Sequence, residues 1–261
     1  MGLLMPGFGR FVWYDLVTPN PAGAEQFYMA VLGWGTDVWK QNGSGSNYTM
    51  WTANKIPIGG LMAMPADAQA RGERPHWLAY VSTPDTDAMV RQSASLGARV
   101  LVPPTDIPGV GRFAMIADPL GAFIAPFTPN QPAAPAVETP SIGQFSWHEL
   151  ATDDPAAAFA FYRATCGWEK TERMDTGHEG VYQMFGWPAP SIGGIHARFP
   201  GQRGPTAWLH YVRVADVGRA IDVVKTKGGK LCHGPIDVPG SRIASCEDPQ
   251  GAAFALQQMA D

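Results

Sequence analysis

The feature that most constrains the fold of this chain is a segment that occurs twice. Residues 11–34 have the sequence FVWYDLVTPNPAGAEQFYMAVLGW, and residues 145–168 have the sequence FSWHELATDDPAAAFAFYRATCGW. The offset is 134 residues, whether it is counted from Trp13 to Trp147 or from Trp34 to Trp168. Each copy predicts a short alternating strand, a cap followed by proline at the first helical position, and a helix that stops at glycine.

The repeat extends well beyond this segment. IGGLMA at 58–63 recurs at the same offset as IGGIHA at 192–197. The turn DPLG at 118–121 recurs as DPQG at 248–251. Within each half, the order of one strand, one helix and three strands is predicted twice. These matches indicate a duplicated domain that is itself built of two similar units.

Residues 129–140, PNQPAAPAVETP, separate the two halves. They are rich in proline and alanine and have no apolar period, which is typical of a semi-extended linker. We therefore predict an α+β fold with two tandem domains, at 8–128 and 141–259, each made of two βαβββ units. A chain of 261 residues is long enough for each domain to bury its own core.

Charge and composition exclude several classes of protein. The net charge of -4 and the pI near 5.8 provide no long-range attraction for nucleic acid. No apolar run of about 18 residues is present, so no membrane-spanning helix is predicted. The three cysteines, Cys166, Cys232 and Cys246, lack CxxC spacing, which favours reduced, buried thiols and a cytoplasmic protein.

Two motifs resemble a known family. The first is a helix with Phe-Tyr that ends in Gly-Trp, at 27–34 and again at 161–168, and the second is the late Asp-Pro-x-Gly turn. Together they resemble the vicinal oxygen chelate superfamily, which contains glyoxalase I, the bleomycin-resistance proteins and the extradiol dioxygenases. The resemblance implies sheets that curve into a half-barrel around a ligand cavity, with the helices outside. It implies no single activity, because this fold carries lyases, isomerases, dioxygenases and simple binders.

The resemblance also implies a divalent metal, such as Zn, Ni or Fe, held by His, Gln or Glu from several strands. Counting back from the helix caps places the implied ligand positions at Trp13, Leu78, Ala125, Trp147, Leu209 and Ala255. Indole and aliphatic side chains supply none of the donors that such cations need. We therefore predict no cofactor. His76, two residues before Leu78, would be a ligand only if this register were shifted by two residues.

Two carboxylates are the candidate catalytic residues. Asp15 and Glu149 occupy the same place in the two copies, two residues after Trp13 and Trp147, and share their strand face. In an aromatic pocket, desolvation would raise the pKa of such a carboxyl group towards the range of a general acid or base. The alternative is that each carboxylate has a structural partner.

The candidate ligand-binding residues are aromatic and occur in matched pairs. They are Trp13, Tyr48, Tyr80, Trp147, Tyr182 and Tyr211. Tyrosine hydroxyl groups could donate hydrogen bonds to a ligand, whereas the alternative is that these rings only pack in the core.

Three functions are compatible with this sequence. The first is a glyoxalase-like lyase or isomerase that acts on a small organic molecule, such as an aromatic or α-dicarbonyl compound, without a metal. The second is a protein that sequesters a toxic compound without turning it over. The third, a metal-dependent lyase or dioxygenase, requires a different register. The expected partner is a small molecule rather than nucleic acid or membrane, and the chain is expected as a monomer with paired domains or as a homodimer.

Overall fold

The computed structural model describes residues 8–40, 47–131, 139–177, 180–187, 190–198 and 205–260. The helices are α1 (Pro21–Leu32), α2 (Ala66–Ala70), α3 (Thr86–Ser95), α4 (Pro155–Cys166) and α5 (Val217–Thr226). The strands of the first half are β1 (Phe11–Thr18), β2 (Gly35–Lys40), β3 (Asn47–Ala53), β4 (Ile56–Ala63), β5 (His76–Ser82), β6 (Arg99–Ile107), β7 (Gly111–Ala117) and β8 (Phe123–Pro129). Those of the second half are β9 (Phe145–Thr152), β10 (Glu169–Asp175), β11 (Val181–Gly186), β12 (Ser191–Ala197), β13 (Ala207–Arg213), β14 (Lys230–Val238), β15 (Ser241–Glu247) and β16 (Ala253–Met259).

Each half of the chain supplies one eight-stranded sheet. The strand order is β2-β3-β4-β1-β5-β8-β7-β6 in the first half and β10-β11-β12-β9-β13-β16-β15-β14 in the second. The two orders are equivalent, and each half contains the βαβββ order twice, so the predicted α+β fold is confirmed. The short helix α2, between β4 and β5, is an addition to this order in the first half. The predicted linker lies partly outside the described residues, which omit 132–138.

The predicted helix signals are present in both copies. Asn20 caps α1 by accepting a hydrogen bond from the backbone N–H of Gly23 at 3.0 Å, and Asp154 caps α4 in the same way. Both helices end at a glycine in the left-handed conformation, with φ of 67° at Gly33 and 69° at Gly167. Glycine adopts this conformation without the steric cost that a Cβ atom imposes.

Contacts divide the chain into two compact units that do not follow the two sequence halves. The first unit consists of the described parts of Met1–Val12, Ala79–Glu138 and His148–Trp208. The second consists of the described parts of Trp13–Leu78, Thr139–Trp147 and Leu209–Asp261. Each unit therefore combines one βαβββ unit from the first half with one from the second.

The repeated motifs build the core of the first unit. The hydroxyl of Tyr162 in α4 donates to Oδ2 of Asp118 at 2.9 Å, and Nε1 of Trp208 donates to the Tyr162 oxygen at 3.0 Å. The other oxygen of Asp118 accepts from the backbone N–H groups of Leu120 and Ala122 and so fixes the Asp-Pro-x-Gly turn. Burial raises the pKa of Asp118 and, more strongly, that of Tyr162.

The second unit contains the equivalent network. The hydroxyl of Tyr28 in α1 donates to Oδ2 of Asp248 at 3.3 Å, and Nε1 of Trp77 donates to Tyr28 at 3.1 Å. The Gly-Trp signature is also structural, because Nε1 of Trp34 donates to the Gly143 carbonyl at 2.6 Å. The motifs that carry the family resemblance therefore hold the fold together.

The cysteine prediction is correct at two positions of three. Cys166 and Cys246 are buried, but Cys232 is exposed. The cause is a local irregularity of β14, in which Leu231 and His233 pair with consecutive residues of β15 and leave Cys232 between them. An extra residue of this kind interrupts the alternation of the strand.

In the part of the chain that the structure describes, every helix is too short or too polar to cross a lipid bilayer.

Candidate functional site

Paired glycines bring three strands of the first sheet close together. Gly60 in β4 lies beside Asp15 in β1 on one edge and beside Met50 in β3 on the other. A Cβ atom on the preceding residue, Gly59, would collide with the backbone carbonyl of Tyr14. The sequence IGG therefore marks a close approach of two backbones.

The residues Trp13, Asp15 and Tyr48 form the Asp15 cluster. Tyr48 lies in β3, two residues before Met50, and its ring passes over Gly60. Its hydroxyl group donates a short hydrogen bond to Oδ1 of Asp15. Nε1 of Trp13 is 3.1 Å from the same oxygen and 2.8 Å from the Tyr48 hydroxyl. Asp15 is 2% exposed, so two donors of the chain hold a buried carboxylate.

The surroundings keep Tyr48 in its protonated form. Burial raises its pKa, and the charge of Asp15 and the hydrogen bond to it raise the pKa further. The contact with Trp13 acts in the opposite direction and is smaller. Tyr48 is therefore a hydrogen-bond donor at any ordinary pH. The raised pKa expected for the two carboxylates stays a prediction.

The residues Glu149, Tyr182 and His196 form the Glu149 cluster. Gly194 in β12 pairs with Glu149 in β9, and the ring of Tyr182 occupies the space that a Cβ atom on Gly194 would need. The Tyr182 hydroxyl donates to Oε2 of Glu149 at 3.1 Å. The pair Glu149 and Tyr182 therefore occupies the same place as the pair Asp15 and Tyr48, as the constant offset of 134 residues indicates.

His196 is the member that sequence reasoning missed. It lies in β12, two residues after Gly194 and beside Ala151 of β9. Its Nε2 atom is 3.4 Å from Oε1 of Glu149, and its Nδ1 atom is 2.7 Å from the carbonyl oxygen of Ala197. The ring is stacked on Tyr182 with 5.5 Å between centroids. The signal that could have found His196 is strand alternation. His196 is two residues after Gly194, so it lies on the same face of the sheet as Gly194 and its neighbour Glu149.

The remaining predicted ligand-binding residues are Trp147, Tyr80 and Tyr211. Trp147 is half-buried in β9. Tyr80 is buried in β5 beside Ala125 of β8, and its ring packs against Phe113 and Phe127. Tyr211 is buried in β13 beside Ala255.

The donor set does not fit the metal that the family resemblance implies. Glu149 and His196 bring two possible donors together, but within the described ranges no group of three His, Cys, Asp or Glu residues could hold an ion. His76 is half-buried at the start of β5, where Nδ1 is 2.9 Å from the carbonyl of Arg74. A site for zinc or a similar cation needs three or four protein donors.

The fold and the two clusters define a class of protein with two halves, each made of two βαβββ units and each with a carboxylate–tyrosine pair at the same place. A family model described as "Glyoxalase/Bleomycin resistance protein/Dioxygenase superfamily" matches residues 10–125 and 142–256. The chain belongs to that superfamily.

Three similar proteins agree with this assignment. "Putative glyoxylase CFP32" of Mycobacterium bovis is 32% identical over 94% of this chain and 92% of its own length. The anthracycline biosynthesis protein DauV of Streptomyces sp. is 30% identical over 96% of this chain and 94% of its own length. A Mn(II)-bound glyoxalase from Novosphingobium aromaticivorans has the same fold, with a TM-score of 0.64 and 13% identity over 97% of this chain and 83% of that one.

Proposed function

We propose that this protein binds a small organic molecule with a carbonyl group and moves a proton at the carbon beside that carbonyl. The carboxylate of Asp15 or Glu149 acts as the base and then as the acid, and no metal takes part. One observation carries the proposal: each half places a carboxylate in hydrogen-bond contact with a tyrosine hydroxyl at the same position of the sheet.

The two side chains have complementary roles. A carboxylate removes the α-proton, and the electrons of the broken C–H bond move towards the carbonyl to give an enolate. The oxygen then carries negative charge and needs a donor that stays protonated. Tyr48 meets that requirement because burial and the charge of Asp15 raise its pKa, and Tyr182 has the same place beside Glu149.

The ligand class follows from the side chains around the carboxylates. Indole, phenol and thioether groups of Trp13, Tyr48 and Met50 share one face of the first sheet. Such a surface, with few polar groups, suits an apolar or aromatic small molecule. One relative is named for anthracycline biosynthesis and others for glyoxylase, names that agree with an aromatic or α-dicarbonyl compound.

Exchange of carbon-bound hydrogen tests this proposal directly. The probe is 1-phenylpropane-1,2-dione, an aromatic α-dicarbonyl compound whose methyl protons exchange with D₂O through the enolate. Proton NMR measures the rate with and without the full-length protein. We expect the protein to accelerate exchange and the double variant Asp15→Asn with Glu149→Gln to abolish the acceleration.

The matched control is Asp67→Asn, which removes an exposed carboxylate in α2 that pairs with Arg71, the residue after the helix. This variant should exchange the probe like the unaltered protein. If the double variant retains the full acceleration, the acid–base proposal is wrong.

A second candidate is a protein that sequesters its ligand without turnover. The observation that favours it is that Asp15 accepts hydrogen bonds from both Trp13 and Tyr48. A carboxylate that is already held by two donors is a weaker base. Sequestration predicts that the probe quenches tryptophan fluorescence and binds, while the exchange rate stays at the value without protein.

The third candidate, a metal-dependent lyase or dioxygenase, predicts a different result. Activity would be lost on treatment with chelators and restored by Zn, Ni or Fe. Metal analysis of the purified protein, followed by the exchange assay after chelation, separates this candidate from the other two.

A further inference from the structure

The two clusters differ at one position that faces the carboxylate. His196 stands two residues after Gly194 in β12, and Met62 stands two residues after Gly60 in β4. At this equivalent position of β4 and β12, the second half therefore has an imidazole beside its carboxylate and the first half has a thioether. This difference gives a chemical reason to assign the two sites different roles.

The contacts of His196 determine where its protons lie. The carbonyl of Ala197 can only accept a hydrogen bond, so Nδ1 carries a hydrogen. Nε2 faces Oε1 of Glu149 at 3.4 Å. In a neutral ring with Nδ1–H, Nε2 is an acceptor, and an ionised carboxylate is also an acceptor. The contact between Nε2 and Oε1 is therefore attractive only when a further proton is bound, either on Nε2 of His196 or on the carboxyl group of Glu149.

Burial distinguishes the positions of the two partners. The side chain of His196 is 2% exposed, and that of Glu149 is 17% exposed. A ligand on this face would therefore reach Glu149 first, with His196 behind it. Tyr182 contacts both, through its hydroxyl group to Glu149 and through its ring to His196.

The Asp15 cluster lacks these properties. Asp15 is 2% exposed, and Met62, in the place of His196, is 41% exposed and cannot bind or release a proton. Within this cluster, the Trp13 indole and the Tyr48 hydroxyl donate to Asp15, and both groups keep their hydrogens. The Asp15 cluster is therefore suited to hold a ligand or a strand rather than to exchange protons.

We propose that proton transfer takes place at the Glu149 cluster, with Glu149 as the catalytic residue and His196 as a positioning residue that holds a proton against it. This inference rests on the proposed function and specifies which half performs it. The substrate class is a carbonyl compound with a hydrogen on the adjacent carbon.

The proposed step balances without any further reactant. At the start, Nε2 of His196 carries the shared proton and Glu149 is ionised. Glu149 takes the α-proton, the C–H electron pair forms the carbon–carbon double bond of the enolate, and the carbonyl electrons move to oxygen. Tyr182 donates a hydrogen bond to that oxygen. Glu149 exchanges this proton with solvent and then returns a proton to the same carbon, which regenerates the carbonyl compound and the starting pair.

The first test measures the protonation of His196 directly and does not depend on activity. Long-range ¹H–¹⁵N NMR spectra are recorded at pH 7 on full-length protein labelled in its histidines, and the His196 signals are assigned by their loss in His196→Gln. We expect both ring nitrogens to carry hydrogen in the unaltered protein. In Glu149→Gln the carboxamide can donate to Nε2, so the ring should become neutral with hydrogen on Nδ1. Identical nitrogen shifts in the two proteins, or hydrogen on Nε2 alone, would overturn the proposal.

The second test uses the exchange of 1-phenylpropane-1,2-dione methyl protons in D₂O. His196→Met introduces the residue that the first half carries at this position. The maximal rate should fall by about tenfold or more, while the half-saturating concentration changes by less than about twofold. Glu149→Gln should lower the rate more than Asp15→Asn does. Met62→Leu is the matched control and should leave the rate unchanged. A full rate in His196→Met would overturn the proposal.

The two tests separate the failure of this inference from the failure of the proposed function. If the unaltered protein does not accelerate exchange, the proposed function fails, and the NMR comparison still decides whether Glu149 and His196 share a proton. If exchange is accelerated and His196→Met retains it, the proposed function stands and the assignment to His196 fails. Circular dichroism confirms that each variant folds, and His196→Gln replaces His196→Met if the latter does not.

Discussion

Tyr48 lies across Gly60, and its ring and hydroxyl group occupy the space that a Cβ atom on residue 60 would need. Gly60 is the central residue between Met50 of β3 and Asp15 of β1. Tyr48 on β3 can therefore reach Asp15 on β1 only because β4, the strand between them, has no side chain at residue 60. The same relationship joins Tyr182, Gly194 and Glu149 in the second half.

Replacement of Gly60 by alanine should separate Tyr48 from Asp15. The added methyl group collides with the ring, and overpacking of this kind costs about 1–3 kcal/mol of unfolding free energy. Urea denaturation measures the loss. In a Tyr48→Ala background the same Gly60→Ala change should cost much less, because the colliding ring is gone. Equal costs in the two backgrounds would contradict the geometry described here.

Loss of the buried tyrosine hydroxyl groups should destabilise the fold. Tyr162→Phe removes the partner of both Asp118 and Trp208, and an unsatisfied buried polar group costs about 1–3 kcal/mol. Tyr28→Phe should have a smaller effect, because its hydrogen bond to Asp248 is 3.3 Å long compared with 2.9 Å for Tyr162 to Asp118. Thermal and urea denaturation provide the comparison. A change below about 0.5 kcal/mol in Tyr162→Phe would refute the prediction.

His210 should make the protein less stable in acid. It is buried against the rings of Tyr14 and Phe145, and burial lowers its pKa to about 3 from an ordinary value of 6.5. Between these values the unfolded chain binds a proton that the folded chain does not. The unfolding free energy should therefore fall by about 1.4 kcal/mol for each pH unit as the pH decreases through this window.

His210→Gln removes this titrating group and provides the comparison for the acid effect. Urea denaturation of both proteins from pH 7 to pH 4 should show a steeper acid loss in the unaltered protein. Parallel curves would show that His210 does not account for the pH dependence.

Thiol reactivity should distinguish the three cysteines. Cys232 is exposed, whereas Cys166 and Cys246 are buried and their pKa values are raised by burial to about 12. The thiolate is the reactive form. Ellman's reagent should therefore modify Cys232 in the native protein and the other two only after unfolding. Cys232→Ser serves as the control and should show no reaction until denaturant is added.

Much of the fold was predictable because its signals are local or repeated. The caps at Asn20 and Asp154 and the helix ends at Gly33 and Gly167 follow from residue chemistry within a few positions. The equal placement of Asp15 and Glu149 follows from the constant offset.

The contacts within the candidate site were not predictable in the same way. The reach of Tyr48 to Asp15 depends on the register of three strands, which the sequence does not state. His196 has no counterpart in the first half, so a comparison of repeats gave it no weight, and its contact with Glu149 required the pairing of β12 with β9. The exposure of Cys232 depends on one irregular pair in β14.

The sequence by itself determined the duplicated βαβββ plan, because hydrophobic periods, caps and turn residues act over a few positions and recur at a constant offset. Only the tertiary structure decided what the repeated motifs contact. Tyr28 and Asp248 are 220 residues apart and still share a buried hydrogen bond. The tertiary structure also decided that Asp15 lies beside the two donors Trp13 and Tyr48. It placed Glu149 beside the imidazole of His196. Such contacts depend on the register and packing of distant segments, which no local pattern encodes.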